Sequence, residues 1–153
     1  MQRFSSVVLV DARGWLLLQE RDEHPAIDPN KWGFVGGHLD PGEDFLVGAY
    51  RELEEETAIR LDGGLELFGR FTVHHEHSDS DDELALFVMG TELTDGDVEC
   101  HEGRQIVFVD PRRVGELDLT AAARTALPQL LDSDHYRRIR STLESTRGDG
   151  RNA

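Results

Sequence analysis

The chain has little cysteine, little lysine and no long apolar run, and each shortage excludes something. Cys100 is the single cysteine among 153 residues, so an internal disulfide framework cannot form and cysteine-based zinc sites are ruled out. A reducing compartment is the expectation that follows. Lys31 is the single lysine, and the 16 basic residues face 31 acidic ones, for a formal net charge of −15. That charge repels DNA, RNA and anionic membranes, whose recognition draws on basic faces. Nucleic acid and membrane are therefore not expected partners. An anionic small molecule stays open, provided a cation mediates. The first apolar runs, residues 7–10 and 15–18, are four residues each. Neither approaches the roughly 18 apolar residues of a membrane span. The first twenty residues carry no secretory pattern, and a cytoplasmic protein is expected.

With 38% hydrophobic residues in short runs, the chain reads as one globular domain over residues 1–147, followed by a mobile tail at 148–153. Residues 7–10 read as a buried strand, 11–14 as a turn and 15–19 as the returning strand, which together predict a hairpin. "RDEHPAIDPNK" is a loop and "WGFVGG" a short strand. A helix is expected from Asp44 to Thr57. Further strands are read at "LELFGRFTVHHEH", "ELALFVMGTEL" and "QIVFVD". The stretch 120–147 looks helical, with Pro128 breaking or kinking it. Strands and helices in this order imply an α/β fold with a mixed sheet flanked by helices.

Residues 36–59, "GGHLDPGEDFLVGAYRELEEETAI", crowd Glu43, Glu52, Glu54, Glu55 and Glu56 around one arginine, Arg51. On a helix at about 100° per residue, Glu55 falls about 60° to one side of Glu52 and Glu56 about 40° to the other. Leu46, Ala49, Tyr50 and Leu53 form the adjoining apolar stripe, and Glu54 points away. Two carboxylates about 5 Å apart repel by about 3 kcal/mol at an effective dielectric near 20. Such a patch is either a solvated acidic face or a seat for something strongly positive. Mg²⁺ and Mn²⁺ take hard oxygen ligands and keep positions for water and phosphate, and glutamates at i, i+3 and i+4 suit them.

The pattern resembles the Nudix hydrolase signature. Gly37 opens it, "HLDPG" spaces Glu43, and "DFLVGAY" spaces Arg51-Glu52-Leu53-Glu54-Glu55-Glu56-Thr57-Ala58-Ile59. Ala58 stands where the family has glycine, which puts the backbone at the helix end in question, since alanine tolerates positive φ less well. The resemblance extends over roughly residues 3–131. It implies an α/β/α sandwich and metal-dependent hydrolysis of a nucleoside diphosphate linked to another group. It further implies that the Gly37 carbonyl, Glu52, Glu55 and Glu56 hold Mg²⁺, with Mn²⁺ possible, and that Glu43 and Arg51 tie the loop to the helix. Glu102, followed by Gly103 and six residues before Phe108, resembles the loop glutamate of MutT-type members, a further metal ligand or the base. Glu99 is its rival.

Arg21, at the end of the second strand, matches an arginine that touches phosphate in MutT-type members, and Trp32 and Phe34 are candidates to stack on a base or to pack the core. "LTAAARTAL" lacks the asparagine with which MutT-type enzymes read an oxidised guanine. "HHEHSDSDDE" reads as a transition-metal site, a loop rimming the cleft or a solvated turn. Alternation puts His75 and His77 on one face, His74 and Glu76 on the other. The resulting expectation is a pyrophosphohydrolase acting on nucleoside triphosphates or related nucleotides, as a monomer or homodimer. Nucleotide-sugar or ADP-ribose hydrolysis, a catalytically weak nucleotide-binding module and an RNA-end hydrolase are its rivals.

Overall fold

The structure is a computed structural model that describes residues 1–76 and 78–151, with only the backbone described from 147 onward. Among the described residues, seven strands form one mixed sheet. Central to it is β1 (Arg3–Val10), which runs parallel to β6 (Ser80–Gly90) from Arg3↔Glu83 to Val10↔Gly90. Six successive residues of β1, from Ser5, are buried, as expected of a strand covered on both faces.

The predicted hairpin is reduced to its corner. Between β1 and β2 (Leu16–Glu20) the register holds only Val10↔Leu16. Beyond that point the strands diverge and each finds other partners. The segment read as one short strand is two, broken at Phe34: β3 (Trp32–Gly33) joins β2, and β4 (Val35–His38) joins β1. β7 (Gln105–Val109) pairs with β2 along its whole length, and β5 (Glu66–His75) pairs antiparallel with β6.

Alternation along the strands divides the core in two. Val8, Val10, Leu16, Leu18, Leu84 and Leu86 face one side, packed with α2 (Ala121–Leu131) and α3 (Asp134–Arg151). Val7, Leu9, Leu17, Ala85 and Phe87 face the other, packed with Ala49 and Leu53 of α1 (Phe45–Thr57). The result is the expected α/β/α sandwich.

Two helical details differ from the sequence reading. Pro128 sits inside α2, and the chain breaks at Asp132 and Ser133 instead. There the Ser133 hydroxyl donates to the Leu130 carbonyl at 2.6 Å and accepts from the Tyr136 amide at 3.1 Å, ending one helix and starting the next. Leu46, assigned to the packing stripe of α1, is 42% exposed, while its neighbour Phe45 packs against the core. In the segment expected to be mobile, the backbone continues α3 to Arg151, and residues 152–153 lie outside the described residues.

Candidate active site

The site forms where β4, α1 and the loop before β7 meet. α1 starts at Asp44, whose side chain accepts the Val47 amide at 2.8 Å. Its acidic face then rises against the glycines of β4. The approach is close. A Cβ on Gly36 would lie 2.2 Å from the Ser5 carbonyl oxygen, and one on Gly37 2.8 Å from the Glu52 carboxylate. Glycine is required at 36 because a side chain there would strike the β1 backbone, and at 37 a side chain would displace the Glu52 carboxylate.

Arg51 organises the acidic residues. It donates from Nε and Nη2 to the two oxygens of Glu43, each at 2.8 Å, and from Nη2 to the His38 carbonyl at 3.2 Å. Its Nη1 reaches Glu52 at 3.0 Å and Glu55 at 3.1 Å. The guanidinium holds the Glu43 carboxyl down at about 2, and Glu43 in turn raises the pKa of Arg51.

The carboxylates differ in setting. Glu56 is 3% exposed and its Oε2 accepts the Gly36 amide at 3.0 Å. Burial first, and then the hydrogen-bonded Glu102 carboxyl, push its pKa up to about 10. Burial likewise raises Glu52 above the usual carboxylate range, against the pull of Arg51. The Glu55 side chain is 59% exposed. Glu54 is turned to solvent and paired with Arg60 at 2.6 Å. Glu99 faces His101, with 3.2 Å between its Oε1 and Nε2.

Next to this cluster lies a cavity of about 210 Å³. Its lining includes Phe4, Phe34, Val73, Leu84 and His75 together with Gly37, Arg21 and Glu102. Arg21 and Glu102 also line an adjoining, more open hollow. The Arg21 Nη2 donates to the Ile27 carbonyl at 3.0 Å, while its buried Nε has no hydrogen-bond partner among the described residues. Trp32 is not among the cavity residues. It packs at the margin of the α2 side of the core, and its backbone bonds to Asp118 and Thr120.

The histidine stretch is divided by the pleat. His74 faces outward to Asp81 at 2.7 Å. His75 is buried, with its Nε2 2.8 Å from Asp82, and lines the cavity. His77 lies outside the described residues. The sequence reading missed Phe4, which packs against His38 with ring centroids 4.1 Å apart and planes tilted by 42°. Its position at the start of β1 gave no local signal, since only the pairing of β1 with β4 and β6 carries it to the cleft. Ala58 has φ 64° and ψ 7°, so alanine adopts the left-handed conformation that ends α1.

Among the described residues, no three His, Cys, Asp or Glu side chains stand close enough together to hold a metal ion as they are. Arg51 engages Glu52 and Glu55, and Glu102 engages Glu56. The donors are nevertheless all oxygen, and they flank an open cleft, which suits a hard divalent cation.

The sequence model of the NUDIX domain family matches residues 2–130. An m7GpppN-mRNA hydrolase of Bos taurus is 39% identical over 59 residues, 39% of this chain and 20% of that protein. An RNA pyrophosphohydrolase of Pelagibacter ubique is 58% identical over 31 residues, 20% of each chain. The chain thus spans about a fifth of the length of these relatives. A MutT protein structure from Bacillus halodurans superposes with a TM-score of 0.65 at 25% identity, covering 88% of this chain and 84% of that one.

Proposed function

The chain belongs to the Nudix family of hydrolases, and we propose that it cleaves the diphosphate linkage of a nucleoside triphosphate or a related nucleoside diphosphate derivative, with Mg²⁺ or Mn²⁺ as cofactor. The observation that carries this reading is that Arg21 and Glu102 line the same cleft. Arg21 offers a buried, unpartnered donor there, and Glu102 stands beside it in contact with Glu56. A phosphate chain needs cations on one side and metal ligands on the other.

The Gly37 carbonyl, Glu52, Glu56 and Glu102 would hold the cation, and Glu55 would join after turning from Arg51. A bound divalent ion neutralises phosphate charge and makes a water molecule nucleophilic at neutral pH. The chain's own residues do the rest. Arg21 binds a phosphate oxygen. Arg51 and Glu43 hold the glycine loop against α1. Glu102 serves as a ligand or accepts the proton of the attacking water. The cavity, through the apolar part of its lining, which includes Phe34, receives the base or sugar. Its volume is below the usual range of about 300–1,000 Å³ for small-molecule sites, so the phosphates lie outside it, over the carboxylates.

The test is release of phosphate and pyrophosphate from canonical and oxidised nucleoside triphosphates, nucleotide sugars, ADP-ribose, dinucleoside polyphosphates and 5′-triphosphorylated RNA, with and without Mg²⁺. Metal-dependent release from the triphosphates supports the proposal. Release from ADP-ribose, nucleotide sugars or RNA alone replaces the substrate class. No release from any of them, with the protein folded and Mg²⁺ bound, favours the binding-module reading instead.

A further inference from the structure

The last four carbonyls of a helix have no partner within it and must be satisfied from elsewhere. In α1 one is met by the chain's own continuation, the Ala58 amide donating to Glu54 at 2.8 Å. The other three are met by one loop. The His101 ring donates from Nδ1 to the Glu55 carbonyl at 2.8 Å. The His101 amide donates to the Glu56 carbonyl at 2.9 Å, and the Glu99 amide to Thr57 at 3.0 Å. A carbonyl oxygen only accepts, so Nδ1 carries a hydrogen, and Glu99 orients the ring from Nε2 at 3.2 Å.

The next residue is Glu102. On its far side the chain is pinned to β2. Gln19 donates from its side chain to the Glu102 carbonyl at 2.9 Å, and the Arg104 amide donates to Glu20 at 2.8 Å. Between them Gly103 has φ 84°, and a Cβ there would lie 2.6 Å from the Glu20 carbonyl oxygen. Glu102 is therefore held at both ends of a short span. One end is fixed to the strand and the other to the helix that carries Glu52, Glu55 and Glu56.

We propose that His101 is a positioning residue: by capping the C-terminal end of α1 it sets the Glu102 carboxylate against Glu56. It touches no substrate and acts through Glu102. The inference rests on the reading of these carboxylates as a divalent-cation site, but the docking it describes is measurable without a metal.

Two readouts test it in the whole protein. The first is Mn²⁺ affinity, titrated by electron paramagnetic resonance with Mn²⁺ alone. His101→Ala should weaken it by roughly 10–100-fold, the usual effect of losing a group that orients a ligand. The double variant His101→Ala/Glu102→Gln should bind no more weakly than Glu102→Gln alone, because the first change acts through the second residue. His101→Asn keeps a donor for the Glu55 carbonyl and should restore affinity to within about threefold of wild type.

The second readout is amide hydrogen exchange at Glu99. It should quicken at least tenfold in His101→Ala, on the order of one lost hydrogen bond, and stay unchanged in β7. Wild-type Mn²⁺ affinity in His101→Ala, additive losses in the double variant, failure of the asparagine to rescue, or unchanged exchange at Glu99 would each overturn the assignment. A wild type that does not bind Mn²⁺ would overturn the metal reading of the site, while the exchange experiment would still decide the docking.

Discussion

Arg51 and Glu43 form a two-pronged pair in which Nε and Nη2 each lie 2.8 Å from a different carboxylate oxygen. The Glu43 side chain is 8% exposed, and Arg51 also reaches Glu52, Glu55 and the His38 carbonyl. One guanidinium thus joins the glycine loop to the acidic face of α1.

Stability should record this pair as a function of pH. Glu43 has a folded pKa of about 2 against an ordinary 4.5. A depressed carboxyl contributes stability above 4.5 and loses it as pH falls toward 2. Glu43→Gln should therefore melt below wild type at pH 7, and the gap should narrow between pH 4.5 and 2. Thermal scans across that range check it. A gap independent of pH would remove the ion pair from the account.

Ala58 should be improvable. Its φ of 64° disfavours a side chain with a Cβ. Ala58→Gly should raise stability by about 0.5–1 kcal/mol, net of the extra freedom glycine has when unfolded. For a chain of this size that is about 1–4 °C in midpoint temperature. Differential scanning calorimetry measures it, and a lower midpoint would contradict the strain.

Glu56 should trade stability for metal binding. Its pKa is raised to about 10 by burial and by Glu102. A raised carboxyl contributes its full stability below pH 4.5 and loses it progressively as pH rises toward 10. At pH 8 the metal-free wild type has therefore lost much of that contribution. Metal-free Glu56→Gln should melt higher than wild type by several degrees at pH 8, on the order of 1–3 kcal/mol, and the advantage should vanish by pH 4.5. Mg²⁺ should stabilise wild type and leave the variant unchanged.

Arg21→Ala should lower kcat/KM for the preferred nucleotide by about 10–100-fold, the scale of one hydrogen bond to a charged group. Steady-state kinetics check it. An unchanged kcat/KM would take the arginine out of phosphate binding.

Much of the fold was legible because strand alternation and the period of α1 are local properties. Val7 to Val10 read as a buried strand from their continuous apolar run, and Ala49 and Leu53 as a packed face from helical spacing. What stayed hidden depends on distant pairing. The divergence of β1 and β2 arises because β1 is held by β4 and β6 while β2 is held by β7. Phe4 reaches the cleft for the same reason. Near the site, the resemblance of residues 37–59 to the Nudix signature anticipated the contact of Glu43 with Arg51. Helical spacing treated Glu52, Glu55 and Glu56 as one patch, although their exposures run from buried to open, because only the third dimension places Gly36 and Glu102 against Glu56. The capping of α1 by residues 99–101 had no local signature.

The central claim is that the acidic face of α1 performs metal-dependent hydrolysis. Its most direct test compares turnover of Glu56→Gln and Glu54→Gln on the preferred nucleotide with saturating Mg²⁺. The account predicts a loss of at least about a hundredfold for Glu56→Gln, as expected when a charge-stabilising group is removed. Glu54→Gln, turned to solvent beside Arg60, should stay within about twofold of wild type. Near-wild-type turnover in a folded Glu56→Gln variant would contradict the account.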